Sequence, residues 1–367
     1  MVSIAREILL HDKLRFAITV VSLGFAIVMI VYDTAMFFGV TGDSVSLIDR
    51  SQAQLWVFKK GNDHLSAPSL VPHSLLGKAR RMAGVGEACA LDYRMGNLQA
   101  ARNHQVAMVG IDPACPLLLP WNVVQGDLES LARKDTVIVD DLALRSDPAA
   151  VGDVVKINDQ KLHVVGVTHG NKSFSYPFVY VNQKTFETIG GSPDDYSFVM
   201  VQVTPGADQN QVIRQLTGVN DMDAHTAQEF SAATITALIA QGVGMIFVVV
   251  AVGVFVGMLI VTLTMYTATM EHLRDFAILK AIGATRRKVL GIVLEQAITE
   301  TTVGFGIGLA ASFGADRLVE ALSGISTRFP MPMVAGTFVA MTVLAILGSL
   351  ISVRRAVTVD PMIVFRA

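Results

Sequence analysis

The chain has 367 residues, 52% hydrophobic and only 16% charged, with a mean hydropathy of +0.50. Soluble domains carry about 25% charged residues, so a sizeable share of this sequence is not built for water. Acids and bases nearly balance, with a net charge of -2, which argues against nucleic acid as the main partner.

Residues 1–15, with Arg6, Lys13 and Arg15, read as a cytoplasmic interfacial helix. Phe16 to Val40 follows as the first transmembrane helix, interrupted only by Asp33. A bilayer core needs roughly 20 apolar residues in a helix. The run is too long for a secretory h-region and no A-x-A-like site follows it, so it reads as a retained span. Residues 41–229 have the composition of a soluble α+β domain. "DVVKIN" and "KLHVVGVTHG" alternate across a short "DQ" turn, as in a hairpin, and "QLWVF", "TVIVDD", "FVYVN" and "FVMVQV" are further strands. "DQNQVIRQLTG" spaces Val212, Ile213 and Leu216 as a helix ending at Gly218.

This region holds no catalytic constellation. His163 and His169 lack a Cys or third His at ligand spacing, so no metal is expected. Asp140-Asp141 and Asp194-Asp195 read as loop caps. Cys89 and Cys115 are too few for a disulfide framework, and their spacing leaves a free pair and a single bridge both open.

Ser231 to Met270 carries no charge at all and is about twice what a bilayer requires. Residues 230–269 therefore comprise a polar-surfaced stalk, beginning "SAATITA", and a second transmembrane helix from Leu238 to Tyr266. The two are expected to form one nearly continuous helix. A charged segment, 270–288, precedes a third span at 289–315. A short outer loop (316–331), a fourth span (332–353) and a cytoplasmic tail (354–367) complete the chain. Lys and Arg concentrate at both termini and in 270–288, while the 316–331 loop has only Arg317 and Arg328. The positive-inside rule then places both termini and 270–288 in the cytoplasm and the α+β domain outside. The expected fold is an α-helical membrane protein with four transmembrane helices plus an extracytoplasmic α+β domain between helices 1 and 2.

Within the spans, Asp33, Glu295 and Glu300 are costly in lipid, at about 2.5–3.5 kcal/mol for a central carboxylate, and should face protein or water. A structural role is expected, since no intramembrane His or Lys completes a proton relay. Gly253-x-x-x-Gly257 and Gly304-x-x-x-Gly308 permit close helix approach, within one chain or across a dimer.

The segment "MEHLRDFAILKAIGATRRKVL" sits oddly between two apolar runs. As a helix from Glu271 to Ile282, one face carries Leu273, Phe276, Ala277 and the Lys280 stem. The other begins with Glu271, Arg274 and Asp275 and continues with Ile278 and Ile282. Two apolar faces need two coverings. Gly283 is a stop signal and Thr285 a cap for the next helix. A basic loop that merely obeys the orientation rule fits the same residues.

"RDFAILKAIGATRRKVL" closely resembles the coupling-helix signature of the MacB/FtsX/LolC-E permeases, the type VII ABC transporter superfamily. "REILLHDKLRFAITVVSLGFAIVMI" resembles that family's interfacial helix and first span, especially in its DevC-like branch. "VGDVVKINDQKLHVVGV" with "FVYVNQKTF" is similar to its periplasmic core, and "RRAVTVDPMIVFRA" to its C-terminal signature. The resemblance runs the full length in the right order. It implies that Glu271, Arg274, Asp275, Phe276, Ala277, Ile278, Leu279, Lys280, Ile282, Gly283 and Ala284 form or support the contact with a cytoplasmic ABC ATPase dimer; Asp275 stands where the family often has Glu. No GxxxxGK(S/T) phosphate loop occurs in this sequence. ATP and Mg are therefore expected on a separate ATPase chain, with no cofactor on this one and no catalysis by it.

The resemblance further implies a second permease copy, with a homodimer expected, and a periplasmic membrane-fusion or adaptor protein in DevC-like systems. The implied work is mechanotransmission: exporting or extracting a lipidic, hydrophobic or peptide-like substrate from the bacterial inner membrane. An FtsX-like regulator of a cell-wall hydrolase and a lipoprotein-extracting LolC/LolE-like permease are alternatives. The outer region exceeds a minimal FtsX-type loop, which favours transport.

Overall fold

The computed structural model describes residues 13–67, 70–99, 103–145, 149–219, 221–271, 278 and 284–358. They fall into two compact units, Met1–Phe38 with Gly244–Ala367, and Gly39–Val243.

Helix α1 (Lys13–Ser44) and the short α2 (Ser46–Arg50) come first. Then follow β1 (Leu55–Lys59), β2 (Val71–Pro72), α3 (His73–Ala79), β3 (Val85–Gln99), β4 (His104–Ile111), β5 (Val123–Gly126) and β6 (Thr136–Asp140). The chain continues with β7 (Val154–Ile157), β8 (Gln160–Thr168), β9 (Lys172–Ser173), β10 (Tyr176–Asn182), α4 (Gln183–Thr188), β11 (Asp195–Tyr196) and β12 (Phe198–Val203). Helix α5 (Gln209–Thr217), β13 (Met222–Thr226) and α6 (Ala227–Leu238) close the α+β unit. The other unit contains α7 (Met245–Glu271), α8 (Arg286–Ser323) and α9 (Met331–Thr358).

The main sheet runs β13-β1-β12-β3-β4-β10-β6-β8-β5. Strand β3 organises it, because its first half pairs with β12 and its second with β4, the change of partner falling at Leu91. Strand β7 bridges β3 and β8, which closes β3, β4, β10, β6, β8 and β7 into a hydrogen-bonded ring. Alternation sorts side chains to two faces. Phe178 and Tyr180 enter a core with Trp56, Phe58, Leu91 and Phe198. Val179 and Val181 enter another with Val106, Met108, Val137 and Leu162. Each such fully buried side chain is worth roughly 1.5–3 kcal/mol.

Strands β3 and β4 do not figure among the sequence-based strands; in β3 the apolar alternation is broken by Asp92, Arg94 and Gly96. The β7–β8 turn is shifted by one residue from the "DQ" reading. Ile157 faces Gln160, and the turn is made by Asn158 (φ 44°) and Asp159 (φ 71°), the residue types that tolerate this conformation in a tight hairpin. Helix α5 begins on an Asp208 cap and ends at Gly218 as expected. Cys89 and Cys115 form a disulfide.

One expectation about the helices changes. The stalk and second span are not one continuous helix: a π-helical segment, Ile239–Val243, contains Gly242 at φ 119°. Only glycine enters that region without a side-chain clash, so the backbone break falls where the sequence supplies one. Helix α8 continues past residue 315 to Ser323 and ends on Gly324 at φ 70°, shortening the connection that follows. Among the described residues, Phe16–Ser44 and Met331–Leu350 are long and apolar enough to cross a membrane, and Ala227–Val243 with Met245–Ile260 qualifies as a broken pair. Helix α8 is long enough, but Glu295 and Glu300 interrupt its apolar run.

Candidate functional site

The segment expected to couple is described only at its two ends and at Ile278. Glu271 is the last residue of α7. Ile278 is helical and 42% exposed. Arg274, Asp275, Phe276, Ala277, Leu279, Lys280, Ile282 and Gly283 lie outside the described residues. Ala284 precedes Thr285, whose side chain caps α8 by accepting from Lys288 N–H.

The four glycines all meet neighbours in the same chain. A Cβ on Gly308 would lie 2.7 Å from Ile27 Cγ2 and 2.8 Å from the Gly24 carbonyl oxygen, and one on Gly304 would touch Leu23. Gly253 faces Ile30 and Met29, while Gly257 faces Ala26 and Met341. Helix α1 therefore approaches both α7 and α8 closely at these glycines, with Met341 of α9 completing the contact at Gly257. Glu300 is buried, while Glu295 occupies the exposed side of α8, so the two carboxylates look in different directions. Asp33 is half-buried on α1, and its Oδ2 has no hydrogen-bond partner among the described residues. Along α7, Phe247, Val248, Val252, Phe255, Leu259 and Leu263 are all exposed, a surface suited to hydrocarbon and not to water.

In the α+β unit, the root of α6 is anchored by a cap and by aromatic packing. Thr226 and Glu229 form a reciprocal capping box, and the Thr226 backbone N–H donating to Glu229 pulls that carboxyl below its usual pKa. One turn on, Phe230 is fully buried. Its ring stacks on Trp56 at 5.1 Å and Phe58 at 5.5 Å and meets Phe198 edge-on at 5.4 Å. Leu65 N–H donates to Thr234 Oγ1 at 3.1 Å. The end of α1 is held too: Asp43 pairs with Lys172 at 3.7 Å with both side chains buried, and Ser46 Oγ donates to the Lys172 carbonyl. Sequence reading missed this aromatic anchor, although Trp56 within "QLWVF" and Phe230 just before the charge-free run were its available signals.

Asp140 does cap its turn, accepting from Leu142 N–H, and it also accepts from Asn171 N–H at 2.7 Å and Thr168 Oγ1 at 3.0 Å. Tyr180 donates to Asn171 Oδ1. Burial raises Asp140 to about 6 against the lowering effect of these donors. His169 lies 2.7 Å from Asp141, and that hydrogen bond raises the imidazole. Among the described residues no group of three His, Cys, Asp or Glu side chains is placed to hold a metal. The Asp140 and Tyr180 hydrogen bonds tie the turn after β6 to the end of β8 and to β10.

Residues 16–219 match the MacB-like periplasmic core domain, and residues 247–361 match the FtsX-like permease C-terminal family. The uncharacterized ABC transporter permease MJ1507 of Methanocaldococcus jannaschii is 30% identical over 47% of this chain and 45% of its own. The uncharacterized ABC transporter permease YknZ of Bacillus subtilis is 25% identical over 58% of this chain and 56% of its own. The pyoverdine export ATP-binding/permease protein PvdT of Pseudomonas syringae is 25% identical over 73% of this chain and 43% of its own. The chain thus spans about half the length of these relatives. Among solved structures, the periplasmic region of MacB from Actinobacillus actinomycetemcomitans aligns with TM-score 0.39 and 13% identity, covering 50% of this chain and 93% of that one.

Proposed function

Because the chain belongs to the MacB/FtsX-like family of ABC transporter permeases, we propose that it relays motion from a separate cytoplasmic ATPase to its α+β domain. In this reading the residues from Glu271 to Ala284 dock on the ATPase, which binds ATP and Mg. Four helices span the membrane, with both termini inside and the α+β domain outside. Two copies of the chain serve two ATPase subunits, and a periplasmic adaptor completes the path outward. One relative carries pyoverdine export in its name, which supports export as the direction. A lipidic, hydrophobic or peptide-like cargo suits a device that works by moving an outer domain.

The observation that most supports this reading is the root of α6. A helix pinned to the sheet by a capping box and a three-ring aromatic contact transmits displacement to the sheet instead of sliding past it. The relay is then two rods meeting at Gly242, in place of a single lever. Aspartate at both Phe276 and Ile278 tests the docking half. The double variant should reach the membrane at normal levels yet lose co-purification of the ATPase. Undiminished co-purification would overturn the assignment.

A further inference from the structure

Immediately after β3 exchanges partners at Leu91, a cleft opens over the α+β sheet. It has a volume of about 200 Å³ and is lined by Leu70, Asp92, Phe186, Ser192, Asp195 and Tyr196 among others. Asp92 is only 6% exposed. Its Oδ1 accepts Ser197 N–H at 3.1 Å, and no other hydrogen bond reaches the carboxylate among the described residues. The wall behind it is closely packed. Gly110 stands opposite Asp92 in β4, and a Cβ there would come within 2.9 Å of both Asp92 and the Phe186 ring.

We infer that this cleft is a binding site for a primary ammonium on an unbranched alkyl stem, with the free oxygen of Asp92 as its counter-ion. A buried carboxylate without a cationic partner is costly, and a ligand that brings the missing charge recovers that cost. The surrounding charges favour a cation. Glu187 on α4 adds negative potential at Asp92, and Asp195 lines the cleft beside Tyr196, whose hydroxyl is raised by burial, Asp92, Glu187 and Asp112 against the lowering effect of Arg80. Arg94, also on β3, lines the cleft, but its guanidinium is engaged by the Gly190 carbonyl. Leu70 and Phe186 suit methylenes, and the aromatic faces add cation–π attraction.

Size and valence narrow the class. Small-molecule sites usually enclose about 300–1,000 Å³, so this one fits a single side chain or a short amine. A guanidinium prefers two carboxylate oxygens, and one of these is already taken by Ser197. A divalent cation wants about six oxygens, and no cluster of three acidic, His or Cys ligands exists among the described residues.

The source is a lysine side chain of another polypeptide or a free alkyl amine, and titration separates them. The full chain in nanodiscs is titrated calorimetrically with cadaverine, with a lysine tripeptide blocked at both ends, and with the same tripeptide acetylated on the lysine. Burial raises Asp92 to about 7, whereas lysine stays protonated near 10.4. Affinity for the amine should therefore rise about tenfold from pH 6 to pH 8. Asp92→Asn keeps the shape and an acceptor for Ser197 and should abolish binding without lowering the melting temperature. Binding of the lysine peptide alone supports the site as a reader of protein lysines; binding of cadaverine supports a free amine. Equal binding of the acetylated peptide, binding unchanged in Asp92→Asn, or no binding of either amine at pH 8 would overturn the inference.

Discussion

Asp92 and Asp140 are raised by burial to about 7 and about 6 from 3.8, so each holds its proton more tightly folded than unfolded. Stability therefore falls as pH rises from about 4 to about 7. At about 1.4 kcal/mol per unit, Asp92 alone sets a ceiling of roughly 4 kcal/mol. Both tryptophans, Trp56 and Trp121, lie in the α+β unit, so their fluorescence reports that unit within the intact chain. Its melting temperature is expected to be higher at pH 5 than at pH 8, and Asp92→Asn should flatten that slope. The disulfide closes a separation of 26 residues with both cysteines buried. Replacing both by serine should cost roughly 3.5 kcal/mol, read as a lower denaturant midpoint of the same fluorescence. Asp140 was legible as a turn cap from its place after "TVIV", but its buried donors, Thr168 and Asn171, arrive from across the sheet. Asp92 carried no signal, since nothing local distinguishes it from a solvated strand residue.

Between elements, the glycine spacing on α7 and α8 was legible as close packing, yet the partner was not. Only the folded chain shows that α1 fills both grooves. Gly308→Ala should destabilise by about 1–3 kcal/mol through overpacking against Ile27 and Gly24. Gly306→Ala, on the same helix with nothing within 4 Å, should be neutral or slightly stabilising through helix propensity. Thermal unfolding of the two variants in detergent checks the contrast; equal losses would show that α1 is not the constraint. Phe230→Ala should cost about 3–5 kcal/mol in the α+β unit. If α6 is the relay, transport per ATP hydrolysed should drop while hydrolysis continues. The break at Gly242 was hidden because a charge-free run reads as uninterrupted helix until one φ angle turns positive.

For the whole molecule, the proposed outer placement of the α+β unit makes a direct prediction. Asp159 sits on the exposed β7–β8 turn, its side chain 80% exposed. Asp159→Cys should react with an impermeant maleimide on intact cells; reaction only after lysis would invert the topology. The buried disulfide fits an oxidising compartment. What the sequence determined by itself was the class of molecule: apolar runs of membrane length, basic flanks and the charged elbow between them are local properties, readable residue by residue. The tertiary structure decided what those segments press against. Ring closure by β7, the pairing of Cys89 with Cys115, the aromatic clamp on Phe230 and the cleft at Asp92 all join residues distant along the chain. Contacts of that kind arise from packing complementarity, which no local pattern encodes.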